Sequence, residues 1–209
     1  YWDLETIELV RPFIKVDDKL DNLHITFKEA LEQGKFETFL RYQPTMEKKQ
    51  GYTTVPDSVL NSSNNYYYGN SDRYYTRFRY TYKTNISVGF TAEKDAGEQF
   101  FRGAQKQGFD FYSGHVFFKG GKYVRAIALG DYQVQIGQGV GFWSSYAFGK
   151  TADIATAKRT AIPLRAYTSV DESRFMRGAA VDLAYKNFEL LFFSSRKNID
   201  ASSIADSTY

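Results

Sequence analysis

The sequence predicts an all-β protein, an antiparallel transmembrane β-barrel that is present in part, as roughly seven strands behind a short α-helical segment. Apolar and polar residues alternate with a period of two in segment after segment, which is typical of half-buried strands. Aromatic residues are abundant, with 17 Tyr and 18 Phe among 209 residues. Short polar turns alternate strictly with long connections, as in outer-membrane barrels, where short turns are periplasmic and long loops lie outside.

Composition excludes several other classes of protein. Cys is absent, which removes disulfide frameworks and thiolate metal sites. The formal net charge of +3 is too small to indicate nucleic-acid binding by itself. No apolar run approaches the ~18 residues of a membrane-spanning helix. Any membrane span in this chain would therefore consist of strands.

The first segment with a regular pattern is helical. Asp3–Val16 places apolar residues at helical spacing, with Asp3 as a plausible N-cap and an end before Pro12. We therefore expect residues 1–20 to end a helical segment and residues 21–209 to form the N-terminal part of the barrel.

The strand pattern begins near Lys35. The predicted strands are Lys35–Gln43, Arg73–Lys83, Ile86–Glu93, Phe109–Lys119, Tyr123–Ile136, Phe175–Tyr185 and Phe188–Arg196. Tight turns are predicted at Thr84–Asn85, Gly120–Gly121 and Lys186–Asn187, since each contains a residue that tolerates positive φ. An odd number of strands leaves the chain outside the cell, so we expect further strands to complete the barrel.

Polar residues within the strands predict which face is turned inward. An Arg or Lys on the lipid side at mid-membrane costs about 2–4 kcal/mol, so charged strand residues should face the lumen. The expected lumen-facing set is Arg77, Arg79, Arg125, Asp131, Gln133, Gln135, Asp182 and Glu189. Val134 and Leu183 should then face lipid. The inward set forms either an internal ion-pair lattice or a polar pore wall on which a plug docks.

A group of tyrosines admits two interpretations. Tyr66, Tyr67 and Tyr68, together with Tyr74 and Tyr75, form part of an aromatic girdle or, alternatively, a sugar-stacking loop. We favour the girdle, because an aromatic belt requires no ligand.

The connection 137–173 is long for an unstructured loop, and its apolar residues need cover. We expect it to fold into the barrel mouth, with a short helix at Thr151–Thr160. The residues expected to constrict the lumen are Phe142, Trp143, Tyr146, Phe148, Lys150, Lys158 and Arg159.

The sequence contains almost no residue pattern that is typical of a catalytic site. His24 and His115 are the two histidines, far apart in sequence, and no paired-histidine metal spacing occurs. We therefore predict neither an enzyme nor a protein with a metal or cofactor.

Two stretches resemble a known family. DLETIELVRPFIKV, at Asp3–Val16, resembles the last helix of a helix-hairpin-helix repeat of competence-type DNA receptors. GDYQVQIGQGVGFWSSYAFGK, at 130–150, with RAYTSVDESRFMRGAA and FELLFFSSRK further on, resembles outer-membrane β-barrel proteins that carry such repeats. The resemblance implies a Gram-negative outer-membrane location, with the N-terminal segment in the periplasm, and more about architecture than about activity.

The resulting hypothesis is an outer-membrane pore or transport component whose lumen is constricted by the loop 137–173. Its expected partners are outer-membrane lipid and other envelope proteins. One alternative is a DNA-uptake or DNA-tethering protein, with DNA bound through repeats upstream of this chain. A second alternative is a soluble β-sandwich or lectin-like binding module.

Overall fold

The computed structural model describes residues 5, 8–9, 27–62, 65–103, 105–145 and 161–198. Two short helices are described beyond residue 26: α1, Phe27–Gln33, and α2, Asp57–Ser62. The strands are β1 Lys35–Gln43, β2 Arg73–Tyr82, β3 Ile86–Lys94, β4 Phe111–Lys119, β5 Val124–Ile136, β6 Phe142–Trp143, β7 Leu164–Ala166, β8 Met176–Tyr185 and β9 Phe188–Ser195. The prediction of an all-β protein is confirmed.

The strands form one antiparallel sheet. Its order is β1-β2-β3-β4-β5-β8-β9, and the short strands β6 and β7 both pair with β5. Within the described residues β1 pairs only with β2 and β9 only with β8, so both edges of the sheet are open. None of the helices described is both long enough and apolar enough to cross a membrane.

All seven predicted strands are confirmed, with ends that shift by at most two residues. The largest shift is in β4, which begins at Phe111 instead of Phe109. The helix α1 was not predicted, although its sequence FKEALEQ consists mostly of good helix formers. The strands β6 and β7 were not predicted either, because two- and three-residue strands show no alternation.

The tight turns lie where the sequence predicted them. Positive φ occurs at Lys83 (48°), Gly120 (117°) and Lys186 (53°), one in each turn. Asn85 has another role: its side chain is buried and its Nδ2 donates to the Lys119 carbonyl at 2.8 Å. This bond ties the β2–β3 turn to the end of β4.

The hydrophobic core lies on one side of the sheet. Its main cluster joins residues of β4, β5, β7 and β8, namely Phe117, Ala126, Ala128, Tyr132, Val134, Leu164 and Ala180. A smaller cluster joins Phe111 to Tyr167 and Phe175 in the segment that leads into β8. The connection between β5 and β8 therefore contributes to the core of the sheet.

Candidate functional site

One face of the sheet is apolar and open, and we call it the apolar face. Directly paired residues of antiparallel strands share a face, so the register identifies its members. Val88 pairs with Val116, and Val116 with Leu129. The exposed apolar side chains that follow this register are Phe36, Leu40, Phe78, Val88, Phe90, Val116, Ile127, Leu129, Leu190 and Phe192. Such a large contiguous apolar surface marks contact with lipid or with another protein.

Aromatic rings lie in a row along the loop end of this face, where the long connections begin. Tyr42 stacks on Tyr74 with ring centroids 5.2 Å apart, and Tyr74 stacks on Phe100 at 5.1 Å. Phe100 meets Phe109 edge to face at 5.2 Å, and Phe109 meets Tyr112 at 5.8 Å. This loop-end row crosses β1 to β4 and includes two rings from the connection 95–110.

At the opposite end, the turn end, a lysine lies over a tyrosine ring at each tight turn. The Lys83 Nζ is 5.1 Å from the centroid of the Tyr82 ring. The same pairing joins Lys122 to Tyr123 at 5.6 Å and Lys186 to Tyr185 at 5.4 Å. Tyr123 and Tyr185 are themselves neighbours, with ring centroids 6.1 Å apart. The turn end thus carries aromatic rings and cations side by side.

The other face of the sheet, which we call the covered face, carries charge-paired residues on β1 to β3. The Arg79 Nε donates to the Glu37 Oε2 at 3.1 Å, and Lys35 also pairs with Glu37 at 2.8 Å. Arg41 pairs with Glu93 at 3.2 Å. These pairs form a ladder across three strands, as the ion-pair interpretation predicted for Arg79.

Arg77 joins the same ladder by a different contact. Its guanidinium carbon lies 5.9 Å from the centroid of the Phe39 ring. Tyr75, which was predicted to belong to the aromatic girdle, also lies on this face, edge to face with Phe39 at 5.7 Å. The girdle prediction is therefore wrong for Tyr75, because neighbouring residues of a strand point to opposite faces.

The end of β5 folds over the covered face. Gly130 has φ +87°, and a Cβ there would lie 2.2 Å from the Gly114 carbonyl oxygen, so only glycine fits. Beyond it, Ile136 lines the same cavity of about 290 Å³ as Glu189 and Leu191 of β9. Phe142 of β6 contacts Phe193 with ring centroids 5.5 Å apart. The last residues of β5 and the chain after it therefore lie against the covered face of β8 and β9.

Two glutamines hold this folded segment in place. The Gln133 Nε2 donates to the Arg174 carbonyl at 2.9 Å, and Gln135 bonds both the Ser145 hydroxyl at 2.6 Å and the Ile162 amide at 3.0 Å. Both glutamines are buried. They were predicted to face a lumen, and the structure places both in contact with residues of the connection 137–173.

A buried ion pair closes the base of the folded segment. Asp131 is 1% exposed, and Arg177 donates to both of its carboxylate oxygens, at 2.7 and 2.9 Å. The Gly114 amide adds a third donor at 3.1 Å. Nearby, the Lys197 Nζ lies 4.1 Å from the centroid of the Phe175 ring. Burial lowers the pKa of Lys197, and the positive charge of Arg177 lowers it further.

Asp182 is a further buried polar residue of the sheet. It lies on the covered face, is 5% exposed, and its Oδ1 has no hydrogen-bond partner among the described residues. Arg125 and Glu189, which were predicted to face the same way, pair with each other at 3.1 Å.

The facing prediction was wrong for β5. Val134, expected to contact lipid, is fully buried in the core beside Leu164. Ala126 and Ala128 are likewise covered, whereas Ile127 and Leu129 are exposed on the apolar face. Both faces of this strand carry apolar residues, so alternation alone could not choose between them. On β8, Asp182 and Leu183 lie on opposite faces, with Asp182 covered.

Of the residues predicted to constrict the lumen, the structure describes two. Phe142 and Trp143 form β6, and Phe142 contacts the sheet as described. Tyr146, Phe148, Lys150, Lys158 and Arg159, with the helix expected at Thr151–Thr160, lie outside the described residues. So do His24 and most of the helix expected in Asp3–Val16.

His115 is buried in the sheet and lies beside a hydroxyl group of β3. It is 7% exposed, and one ring nitrogen lies 2.9 Å from the Ser87 hydroxyl. Across the described ranges, no group of three or more His, Cys, Asp or Glu side chains is arranged to hold a metal ion.

The chain matches no protein-family model, and no curated protein or solved structure is significantly similar to it. Function is therefore inferred from the two faces of the sheet and from the segment folded over one of them.

Proposed function

We propose that this chain is part of a transmembrane β-barrel of a Gram-negative outer membrane, and that the barrel is a pore or transport component narrowed by the segment after β5. The observation that carries the proposal is the open apolar face, bounded by aromatic rings at both ends. Outer-membrane barrels present such a band, about 25 Å tall with aromatic girdles on both sides, to lipid.

The dimensions of the apolar face fit a bilayer. Tyr74 in the loop-end row and Tyr82 at the turn end are eight positions apart on β2, which is about 27 Å along an antiparallel strand. A tilt of roughly 40° reduces the height to about 20 Å, close to that of an outer-membrane band. Two of the Lys–Tyr pairs at the turns, those of Tyr123 and Tyr185, have exposed rings. They fit the headgroup region, where tyrosine rings anchor and lysines extend to water.

The covered face supports a transport role. In a closed barrel it would line the lumen, with the ladder of Glu37, Arg79 and Arg41 as a polar wall. The segment anchored by Gln133 and Gln135 would then lie inside the barrel and narrow it. Loops that fold inward in this way set the size of solute that a barrel admits.

The two alternatives receive less support. A soluble sandwich needs a second sheet over the apolar face, and within the described residues no second sheet covers it. Near the turn end α1 lies against this face, where the Tyr80 hydroxyl donates to the Ala30 carbonyl. DNA binding would depend on helix-hairpin-helix repeats upstream, and the segment Asp3–Val16 that resembles them lies mostly outside the described residues.

Contact of the apolar face with lipid can be measured directly, since these 209 residues contain no Cys. Single cysteines at Val88 and Val116, carrying a fluorophore, should be quenched several-fold more strongly by bromine-labelled lipid acyl chains than by iodide in the water. A cysteine at Thr81, half-buried on the covered face, serves as the matched position and should show the reverse order. Equal quenching by iodide at Val88 and Thr81 would contradict the proposal.

The role of the folded segment is tested by shortening it. Deleting residues 147–160 from the complete protein keeps Ser144, Ile162 and Pro163, whose backbone or hydroxyl groups bond β5. We expect the deletion variant to assemble and its single-channel conductance in planar bilayers to rise about two-fold or more, because the lumen is wider. Unchanged conductance of a correctly assembled variant would show that the segment does not narrow the pore.

A further inference from the structure

The tyrosines for which the sequence left two interpretations are divided by the structure. Tyr74 belongs to the loop-end row, whereas Tyr67 stacks on Tyr52, with ring centroids 4.7 Å apart, in a cavity between the two long connections 44–72 and 95–110. The cavity has a volume of about 420 Å³, within the usual range of small-molecule sites. It lies at the loop end of the sheet, where Phe100 of the loop-end row forms part of its lining.

The walls of this cavity are built in advance of any ligand. The Gly69 amide donates to the Gly97 carbonyl and the Gly97 amide to the Asn70 carbonyl, both at 2.8 Å, so the two connections are bonded to each other. Lys94, fully buried, adds a second tie, because its Nζ donates to the Asp72 carbonyl at 2.7 Å and to the Asp95 carbonyl at 3.0 Å. A preformed cavity avoids the entropy cost of ordering loops on binding.

The side chains that line the cavity combine aromatic and hydrogen-bonding groups. Tyr52 and Tyr67 form one wall, and burial, with a smaller effect of Tyr67, raises the pKa of Tyr52, so Tyr52 remains a neutral donor at physiological pH. Tyr68 keeps 52% of its surface exposed. Glu98 and Arg102, both exposed, line the same cavity.

We propose that this cavity binds a neutral pyranose sugar. The planar ends of Glu98, Arg102 and Asn70 can each bond two adjacent hydroxyl groups, as bidentate groups do. The open ring of Tyr68, whose hydroxyl is held by donating to the Asn61 Oδ1 at 2.9 Å, offers an apolar surface to the C–H face of a sugar ring. Since one carboxylate and one guanidinium balance each other, the lining favours an uncharged ligand over a phosphate or a metal ion.

The proposal is tested on the complete protein in a detergent without a sugar headgroup. Glucose, galactose, N-acetylglucosamine and maltotriose are the probes, with glycerol as the hydroxyl-bearing compound that lacks a ring. Saturation-transfer NMR detects contact, and titration of tyrosine fluorescence gives the affinity. We expect saturable binding of at least one sugar, in the millimolar range, and none of glycerol.

Three variants locate the binding, and a fourth controls for unrelated effects. Tyr68→Ala, Glu98→Ala and Arg102→Ala should each weaken the affinity about tenfold, as the loss of one good contact does. Lys106→Ala, an exposed change in the same connection, should leave it unchanged. The readout does not require a membrane, so its outcome is independent of the pore.

A second arm identifies the source of the sugar. Lipopolysaccharide in mixed micelles is compared with the oligosaccharide released from it. Tighter binding of the lipid-linked form, abolished by Glu98→Ala, would assign the site to a membrane glycolipid; equal affinity would assign it to free saccharides. Absence of binding by every sugar, or binding that all three variants retain, would overturn the proposal.

Discussion

An arginine in place of Leu129 is expected to prevent most of the protein from reaching the outer membrane in folded form. Leu129 is 49% exposed near the middle of β5, between Val116 of β4 and Ala179 of β8 on the apolar face. If this face contacts lipid, the guanidinium enters hydrocarbon at a cost of about 2–4 kcal/mol. Combined with Val88→Arg, two strands away, the cost should approach the sum, because distant substitutions are nearly additive.

The measurement is the fraction of protein that migrates as the folded, heat-modifiable band in outer-membrane preparations. Thr81→Arg is the control, since Thr81 is half-buried on the covered face of β2 and its substitution should change that fraction little. Equal loss of folded protein in Leu129→Arg and Thr81→Arg would mean that the two faces do not differ in environment, which is incompatible with a lipid-facing sheet.

The strands could be predicted from the sequence because each one satisfies its own alternating pattern. β1, for example, places Phe36, Leu40 and Tyr42 on one side and Glu37 and Arg41 on the other. The tight turns follow equally from local chemistry, as at Gly120. These features depend on residues close together in the chain, which is why the bounds agree so closely.

The facing of β5 could not be predicted in the same way. Ala126–Leu129 is apolar on both sides, so the choice depends on the neighbours: Val116 and Phe118 of β4 bring Leu129 and Ile127 to the apolar face. The burial of Val134 depends on Leu164, thirty residues further on. Such contacts join distant parts of the chain and leave no periodic signal.

The loop-end aromatic row could also be predicted only in part from the sequence. Tyr42, Tyr74 and Tyr112 occur in predicted strands, and Phe109 was predicted to begin one but lies just before β4. Phe100 completes the row from a connection without regular alternation. Among the lysines at the turns, Lys186 alone was predicted as a turn residue, and the structure shows each of the three over a tyrosine ring. The sequence did contain a signal for these pairs, because a Lys and a Tyr are adjacent in the chain at all three turns.

Loss of the Arg177 guanidinium should destabilise the folded protein more than loss of a charge whose ion-pair partner is exposed, because the partner of Arg177 is buried. In Arg177→Met the Asp131 carboxylate, 1% exposed, loses two of its three donors and keeps only the Gly114 amide. Removing one partner of a fully buried ion pair typically costs about 3–5 kcal/mol, because the other charge is left in a medium of low dielectric constant. Since the Arg177 side chain is 44% exposed and solvent screens its charge, we expect a loss at the lower end of that range. Arg177 also donates to the Tyr112 carbonyl at 2.6 Å, so β4 loses a tie to β8 as well.

The free energy of unfolding, measured by urea titration in lipid vesicles, should therefore fall by several kcal/mol in Arg177→Met. Arg73→Ala is the matched control: its ion pair with Asp95 is longer, 3.7 Å, and both side chains are at least half exposed, so its loss should cost less than about 1 kcal/mol. In the double variant Asp131→Leu with Arg177→Met, much of the stability should return, because no charge is then left buried. If the double variant is instead as unstable as the sum of the two single variants, Asp131 and Arg177 act independently, and the folded segment after β5 is held mainly by Gln133 and Gln135.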